Sequence, residues 1–127
     1  MTNTLSKKSL KFGAIGCSRV AKKYFFPAIK NSEFTELGFV GSRSLEKAKT
    51  WANENNSNFF GHYDEVLESD VDAVYISLPI SMHEEWVTKA AKLGKHILCE
   101  KSSTTSYSSA KNMVKICNDN DVSILEC

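Results

Sequence analysis

Residues 11–21 read KFGAIGCSRVA, an apolar run followed by a glycine turn and then by a helical pattern. The run from Lys11 to Ile15 predicts a short buried strand, and Gly16-Cys17-Ser18 predicts the turn that follows it. The helical pattern runs from Arg19 to Phe26, where Pro27 is expected to end or kink the helix because proline has no backbone N–H. A strand, a glycine turn and a helix in this order are typical of the first unit of a doubly wound parallel sheet.

The rest of the chain alternates between predicted strands and predicted helices. Further strands are predicted over Leu37–Val40, Phe59–Phe60, Val71–Ser77, His96–Cys99 and Val122–Leu125. Helices are predicted between them, over Ser44–Asn55, Asp64–Leu67, Ser81–Leu93 and Ser106–Asn118. This order predicts an α/β fold of the Rossmann type, a doubly wound parallel sheet in three layers with helices on both faces. The nearly continuous apolar run at 71–77 suits a central strand covered on both faces.

Several predicted helix ends carry their own signals. Ser44 and Asp64 are expected to be N-caps, because their side-chain oxygens can accept the free N–H groups of a first helical turn. The segment Ser81-Met82-His83-Glu84 fits a capping box, in which serine and glutamate satisfy backbone N–H groups reciprocally. Gly94 lies where a helix is expected to end in a left-handed residue.

The composition is that of one globular domain and excludes several classes of protein. The chain has 127 residues, of which 42% are hydrophobic and 24% charged, with a net charge of +1. No basic excess indicates nucleic acid as a partner, and no apolar run approaches the roughly 20 residues that a membrane span needs. The first ten residues, MTNTLSKKSL, lack the apolar core of a secretory signal, so a cytoplasmic location is expected. The four cysteines form no CxxC pair, and no metal is expected.

The glycine turn approximates the pattern G-x-G-x-x-A when it is read from Gly16, with serine in place of the second glycine. Such a turn aims backbone N–H groups and the positive end of a helix dipole at a pyrophosphate. The residues predicted to hold a dinucleotide here are Gly16, Cys17, Ser18, Arg19 and Val20. Because its side chain narrows the approach of the pyrophosphate, Ser18→Gly is expected to preserve or improve binding. The alternative is a strand–helix turn that binds nothing.

The end of the second predicted strand decides which dinucleotide is expected. It reads Gly41-Ser42-Arg43-Ser44, without the acidic residue that usually holds the ribose 2′-OH of NAD. Arg43 can pair with the 2′-phosphate of NADP, and Ser42, Ser44 and Lys47 can add donors. NADP is therefore the preferred cofactor and NAD the second choice. The alternative for Arg43 is an ordinary solvated arginine. Methyltransferases also place a glycine turn after the first strand, but they generally carry an acidic residue at the end of the second strand, so the missing carboxylate counts against that class of enzyme.

Two further segments carry a family resemblance. Residues 71–79 read VDAVYISLP and are followed by His83 and Trp86, and residues 90–101 read AAKLGKHILCEK. Together with the glycine turn, they resemble the glucose–fructose oxidoreductase, inositol dehydrogenase and rhizopine-catabolism family (Gfo/Idh/MocA), which shows DAVYIATP…H and AGKHVLCEKP in this order. The resemblance extends from about Phe12 to Cys127.

The resemblance implies a two-domain protein. Members of the family have an N-terminal Rossmann domain and a C-terminal α/β domain, and they oxidise sugar or polyol alcohols or reduce the corresponding ketones with NAD(P). Residues 1–127, with an ordered core over 10–127, are accordingly expected to be the NAD(P)-binding domain, ending before the substrate domain. The expected partner is a small carbohydrate, and the whole protein is expected to be a homo-oligomer.

The resemblance also assigns roles to residues near the predicted reacting edge. Lys101 matches the family's catalytic lysine, whose ammonium can stabilise a developing alkoxide or relay its proton. Glu100 matches a glutamate that contacts the nicotinamide side or orients its neighbours. The remaining residues predicted to bind the cofactor are Ser77, Leu78, Pro79 and His83, and the alternative for His83 is a structural role at the start of the following helix. One departure is Ser102, which stands where the family has a proline.

The sequence and the resemblance thus predict an NADP(H)-dependent oxidoreductase that acts on a sugar or polyol. Within the family, the residues SRS, VDAVYISLP and HEEW are most similar to reductases of keto sugars and to dihydrodiol-dehydrogenase-like members. The alternative is a non-catalytic dinucleotide-binding or sensing module. Glu100 followed by Lys101 favours the enzyme, whereas Ser18 and Ser102 favour the module.

Overall fold

A computed structural model describes residues 9–127 and shows a six-stranded sheet. The strands are β1 (Leu10–Ile15), β2 (Thr35–Gly41), β3 (Phe60–Gly61), β4 (Ala73–Ile76), β5 (His96–Cys99) and β6 (Ile124–Glu126). They lie in the order β3-β2-β1-β4-β5-β6, and every neighbouring pair is parallel. This is the doubly wound order, so the predicted Rossmann-type sheet is confirmed. The prediction that the chain has no secretory signal concerns its first ten residues, of which residues 1–8 lie outside the described range.

Helices cover both faces of the sheet and make the predicted three layers. They are α1 (Phe26–Asn31), α2 (Leu45–Glu54), α3 (Tyr63–Glu68), α4 (His83–Lys92) and α5 (Tyr107–Asp119). One buried cluster joins the sheet to α1 and α2, and the other joins it to α3, α4 and α5. Within residues 9–127, no helix is long and apolar enough to cross a bilayer.

Strand β4 shows how the sequence produces two cores. All of its residues are buried, as expected for a central strand. Because successive side chains of a strand point to opposite faces, Val74 and Ile76 enter the α3–α5 cluster while Tyr75 enters the α1–α2 cluster. Burying an aliphatic side chain of this size contributes about 1.5–3 kcal/mol to stability.

The helix after the glycine turn departs from the prediction. Residues 19–31 are continuously helical, with a π-helix at Ala21–Phe25 that leads directly into α1. The helix therefore does not end at Phe26 before Pro27. The proline lies in the first turn of α1, and the wider π-helical turn before it shifts the hydrogen-bond register where the proline lacks an N–H.

Two of the predicted caps are wrong and two predicted boundary signals are confirmed. Helix α3 follows His62 instead of Asp64, and the His62 N–H donates to the Glu65 carboxylate at 2.8 Å. The expected capping box at Ser81 is instead a 3₁₀ turn over Ile80–Met82, and Glu84 accepts a hydrogen bond from Ser109 of α5 at 2.6 Å. Ser44 does cap α2, accepting the Lys47 N–H at 3.2 Å, and Gly94 is left-handed with φ of 75°.

The remaining boundaries shift by a few residues. Strand β2 is longer than predicted, β3 starts one residue later, β4 is shorter, and β6 begins at Ile124 instead of Val122. The last shift has a clear cause, because Val122 N–H donates to Cys117 O at 3.0 Å and so belongs to the turn that closes α5. Helix α5 itself starts at Tyr107, capped by Ser106, whose hydroxyl accepts the Ser109 N–H at 3.0 Å.

Candidate functional site

The predicted site residues meet at one edge of the sheet. They lie in the segments that follow the carboxyl ends of the strands: Gly16–Val20 after β1, Ser42–Lys47 after β2, Ser77–Pro79 after β4 and Glu100–Lys101 after β5. Strands β1 and β4 are neighbours in the sheet but lead to helices on opposite faces, so they flank the point where the strand order reverses. In open α/β sheets, ligands bind at this edge and at this switch point.

Gly16 makes the turn after β1 possible. Its φ is +106°, a left-handed conformation that favours glycine, and a Cβ there would lie 3.0 Å from Leu78 Cδ2 and 3.2 Å from Ser77 Oγ. The Gly16 N–H donates to Gly41 O at 3.0 Å, which ties the turn to the end of β2. The helix that starts at Arg19 then presents its first N–H groups, which have no partner inside the helix, to the edge. The turn is therefore shaped to receive an anion.

Ser18 takes part in this turn and does more than narrow it. Its hydroxyl accepts the Ala21 N–H at 3.1 Å, as an N-cap does, and donates to Ser77 Oγ at 2.9 Å. Ser77 in turn donates to Gly16 O at 3.4 Å. The family pattern has glycine where this chain has Ser18 and alanine where it has Ser77. One hydrogen bond therefore joins the two serines that depart from the pattern. The bond joins the turn after β1 to the end of β4.

The segment after β2 is held by its serines and leaves its cations at the surface. Ser42 is buried and its hydroxyl accepts the Ser44 N–H at 3.1 Å, while Ser44 caps α2. Both hydroxyls therefore fix the backbone on either side of Arg43. The Arg43 side chain and that of Lys47 are exposed. This arrangement leaves a guanidinium and an ammonium available to an anion at the edge.

Sequence reasoning missed two residues at the start of α3 that border this segment, the N-cap His62 and the first helical residue Tyr63. The His62 ring nitrogen Nδ1 lies 3.3 Å from Ser42 O. Burial raises the pKa of the Tyr63 phenol, and the nearby positive charge of Arg43 opposes part of that rise. The short β3 pairs in parallel with β2 and leads into α3, so the start of α3 lies beside the end of β2. A prediction that these two strands pair would have indicated this proximity.

A hydrogen bond from a buried tyrosine holds Glu100 at the end of β5. The Tyr75 hydroxyl donates to Glu100 Oε2 at 2.6 Å, and Tyr75 is only 2% exposed, with its ring stacked on Phe25 at 4.1 Å. Burial and this carboxylate raise the pKa of Tyr75 far above its ordinary value, so the phenol stays protonated and donates. The sequence offered a signal, since the hydroxyl of a tyrosine in a buried strand needs a partner.

Lys101 follows this glutamate and is exposed at the edge. It is joined to Ser102 by a cis peptide bond. None of the ion pairs found among residues 9–127 includes Lys101. The neighbouring carboxylate of Glu100 accepts hydrogen bonds from Tyr75 and, at 3.5 Å, from Cys127 Sγ. The Lys101 ammonium is thus available to a group outside the described chain.

His83 lies beneath the edge instead of on it. It is 2% exposed, with Nε2 2.8 Å from Leu78 O and Nδ1 3.1 Å from Ser103 O. A neutral imidazole carries one N–H, which can be donated to one of these carbonyls. The ring therefore lies between the segment after β4 and the segment after β5, with one ring nitrogen within hydrogen-bond distance of a carbonyl of each. Leu78 is also buried, whereas Pro79 is exposed.

A cavity of about 620 Å³ lies at the opposite edge of the sheet. Its walls come from α1, from β2 and from the loops that precede β3 and β4, and include Leu37, Phe59 and Asp70. None of the predicted site residues lines it. The structure therefore separates the candidate site from this cavity by the length of the strands.

Comparisons with known proteins bear on the whole described fold. Residues 10–126 match the profile of a family described as "Oxidoreductase family, NAD-binding Rossmann fold". The chain is 32% identical to a dTDP-3,4-didehydro-2,6-dideoxy-alpha-D-glucose 3-reductase of Actinomadura kijaniata, covering 99% of this chain and 38% of that protein. It is 35% identical to the D-xylose 1-dehydrogenase (NADP(+)) 2 of Haloferax volcanii, covering 92% of this chain and 36% of that protein.

Solved structures agree with these relatives. The chain superimposes with a TM-score of 0.91 on KijD10, a 3-ketoreductase from Actinomadura kijaniata in complex with NADP and TDP-benzene, at 32% sequence identity. That match covers 94% of this chain and 37% of the other. The chain thus spans 36–38% of the length of these relatives.

Proposed function

The chain belongs to the Gfo/Idh/MocA oxidoreductase family, and from that premise we propose that it is the cofactor domain of an NADP(H)-dependent enzyme. The proposed reaction is hydride transfer between the nicotinamide and a carbonyl or alcohol carbon of a sugar or polyol, with reduction of a keto sugar as the favoured direction. The observation that carries the proposal is the convergence of a glycine turn, a carboxylate-free Ser-Arg-Ser segment and Glu100-Lys101 at one edge of the sheet.

The residues at this edge fit a phosphorylated dinucleotide. The space beside Gly16 would be filled by a Cβ, and the first N–H groups of the following helix suit a pyrophosphate. Arg43 and Lys47 are exposed cations where an NAD-specific domain would place an acid, and they suit a 2′-phosphate. The D-xylose dehydrogenase of Haloferax volcanii is named as an NADP(+) enzyme, and KijD10 was solved with NADP. These points support NADP over NAD as the cofactor.

The residues at the ends of β4 and β5 fit the chemistry. A bound nicotinamide would supply or accept the hydride. The Lys101 ammonium would stabilise negative charge on the reacting oxygen or exchange a proton with it. The Tyr75–Glu100 hydrogen bond would fix the backbone from which Lys101 projects, while His83 would hold the neighbouring loop through Ser103. We assign Lys101 the catalytic role and the other residues positioning roles.

The activity of the whole protein goes beyond this chain. We propose that a further C-terminal domain supplies the walls that hold a carbohydrate, since the chain spans only 36–38% of its relatives. The relatives named above are sugar reductases or dehydrogenases, which supports this class of substrate. A cytoplasmic location and a homo-oligomeric state belong to the same proposal. The non-catalytic dinucleotide-binding module is the second candidate, and Ser102 in place of the family's proline favours it.

Titration of the 127-residue chain with NADPH and NADH tests the proposal. We expect both to bind, NADPH more tightly, and no turnover of keto sugars by this chain, because positioning of the substrate supplies a large part of an enzymatic rate. The longer protein should then reduce a keto sugar with NADPH. Absence of NADPH binding would contradict the enzyme and the module alike, and binding without turnover by the longer protein would favour the module.

A further inference from the structure

Two lysines from different helices share one aromatic ring near the proposed cofactor edge. Lys22 Nζ lies 5.8 Å from the centroid of the Trp51 ring, and Lys47 Nζ lies 5.4 Å from it. Trp51 is half-buried on α2 and is held by an edge-to-face contact with Phe26 at 5.7 Å. An ammonium within about 6 Å of an indole centroid is attracted by the ring's quadrupole. Both ammonium groups therefore lie within 6 Å of the centre of one indole ring.

Neither lysine has an acidic partner in the described part of the chain. None of the ion pairs found among residues 9–127 includes Lys22 or Lys47, whereas Lys11, Lys89 and Lys115 all pair with carboxylates. Two cations near one ring repel each other, and each contact with an exposed ring contributes only about 0.5–1 kcal/mol. Among residues 9–127, the pair is therefore a concentration of positive charge without an ion-pair partner.

The position of the pair relates it to the dinucleotide site. Lys22 lies one turn into the helix that follows the glycine turn, and its N–H donates to Ser18 O at 3.1 Å. Lys47 lies in the first turn of α2, bonded through its N–H to Ser44. Burial raises the pKa of the Cys17 thiol in the glycine turn, and the nearby charge of Lys47 opposes part of that rise. Lys22 thus follows the turn after β1, and Lys47 follows the end of β2.

We propose that Trp51 holds Lys22 and Lys47 as a cation pair that binds the 2′-phosphate of NADP(H) alongside Arg43. The inference rests on the proposed function and adds two residues to it, Lys22 as a phosphate ligand and Trp51 as the residue that positions both lysines. A phosphomonoester carries roughly 1.5–2 negative charges at neutral pH, so one guanidinium leaves part of its charge uncompensated. NAD has a hydroxyl in place of this phosphate and gives the pair nothing to bind.

The proposal is tested by cofactor titration of the 127-residue chain and three variants. Lys22→Met should weaken NADPH roughly tenfold, the low end for hydrogen bonds to a charged group, and leave NADH within about twofold. Trp51→Leu should weaken NADPH to a similar extent, because both ammonium groups lose their common contact. Trp51→Phe keeps an aromatic ring and should recover most of the affinity. Adenosine 2′,5′-bisphosphate should follow NADPH, and adenosine 5′-monophosphate should follow NADH.

Lys23→Met is the matched control. It removes the same charge from the next position of the same helix, but Lys23 Nζ lies over Tyr24 at 5.3 Å instead of over Trp51. It should leave NADPH binding nearly unchanged, and the salt dependence of NADPH binding should decrease in Lys22→Met only. Thermal unfolding identifies any variant that fails to fold, and the conservative Lys22→Met variant still decides the matter if Trp51→Leu does not fold.

The outcomes separate this inference from the proposed function. If the wild-type chain prefers NADPH and Arg43→Ala removes the preference while Lys22→Met and Trp51→Leu do not change it, the cation pair is wrong and the proposed cofactor stands. An equal loss of NADPH and NADH in Lys22→Met, or an equal effect of Lys23→Met, also overturns the pair. If the wild-type chain binds neither cofactor, the proposed function fails and the inference fails with it.

Discussion

The two halves of the candidate edge are built in different ways. The half that follows β1 and β2, which we call the adenosine half, consists of Gly16–Val20 and Ser42–Lys47, with serine hydroxyls capping helices and cations exposed at the surface. The half that follows β4 and β5, the nicotinamide half, consists of Ser77–Pro79 and Glu100–Lys101. It rests on the buried groups of Tyr75 and His83.

This difference matches the work proposed for each half. Exposed cations are mobile and contribute modestly to stability, so they can be selected for affinity and cofactor choice without much cost to the fold. A buried polar group is costly when its partner is lost, and a satisfied pair therefore fixes geometry. The adenosine half is suited to binding and discrimination. The nicotinamide half is suited to holding one ammonium in a defined place.

The largest effect is expected from Lys101→Ala in the longer protein. Its kcat should fall by about 10²–10⁴, the usual contribution of a positioned proton donor, while the NADPH dissociation constant changes little. The reason is that the interaction of the ammonium grows with charge in the transition state. Steady-state oxidation of NADPH and a direct cofactor titration of the same variant give the two values.

Lys92→Ala is the control for this variant, since it removes another exposed lysine at the far end of α4. An unchanged kcat in Lys101→Ala would remove this lysine from the mechanism. A parallel loss of affinity and kcat would make it a binding residue and erase the contrast between the two halves.

Arg43→Ala should change binding only. We expect NADPH to be weakened by about 1.5–3 kcal/mol, the range for a hydrogen bond to a charged group, and NADH to be nearly unaffected. Isothermal titration of both cofactors against the 127-residue chain measures this. An equal loss for both would show that Arg43 does not contact the 2′-phosphate.

Tyr75→Phe tests the buried support of the nicotinamide half. The ring and its stacking on Phe25 remain, but Glu100 loses its donor, so the free energy of unfolding should fall by about 1–3 kcal/mol. Urea denaturation gives the value, and Tyr24→Phe, at an exposed tyrosine, should change it by less than about 0.5 kcal/mol. Equal effects in the two variants would mean that the Tyr75–Glu100 bond is not a support.

The smallest effect concerns the hydrogen bond that joins the halves. Ser18→Ala and Ser77→Ala should each destabilise the chain by about 1 kcal/mol, and the double variant should show a coupling of about 0.5–1 kcal/mol. The structure also changes the expectation for Ser18→Gly, which should loosen the turn and weaken NADPH binding slightly. Additive single effects, or tighter NADPH binding by Ser18→Gly, would favour the steric role that the sequence alone predicted.

The sequence predicted what depends on local pattern. Alternating strands and helices together with the glycine turn led to the sheet, and Ser44 and Gly94 were identified because their effect lies within one helical turn. The course of the helix past Pro27 could not be predicted, because packing against the sheet decides whether a helix ends there or continues through a π-turn.

The hydrogen bonds that support the candidate site could not be predicted from the sequence, for a related reason. Ser18 and Ser77 are 59 positions apart, and Tyr75 and Glu100 are 25 apart, so each pair meets only when the strands adopt their register. For His83 the sequence left a cofactor-proximal and a structural role open, and the structure buries its ring between two backbone carbonyls. A pattern of residue types indicates which segments reach the edge, but not which side chains bond beneath it.

The central claim is that this chain binds NADP(H) at the carboxyl edge of its sheet. Hydrogen–deuterium exchange of the 127-residue chain with and without saturating NADPH tests it most directly. Protection is expected at residues 16–20 and 42–47, with smaller effects at 77–79 and 100–101, and none at the loops that line the opposite cavity, such as 55–59. Protection confined to those opposite loops, or no protection at the turn after β1, would contradict the account.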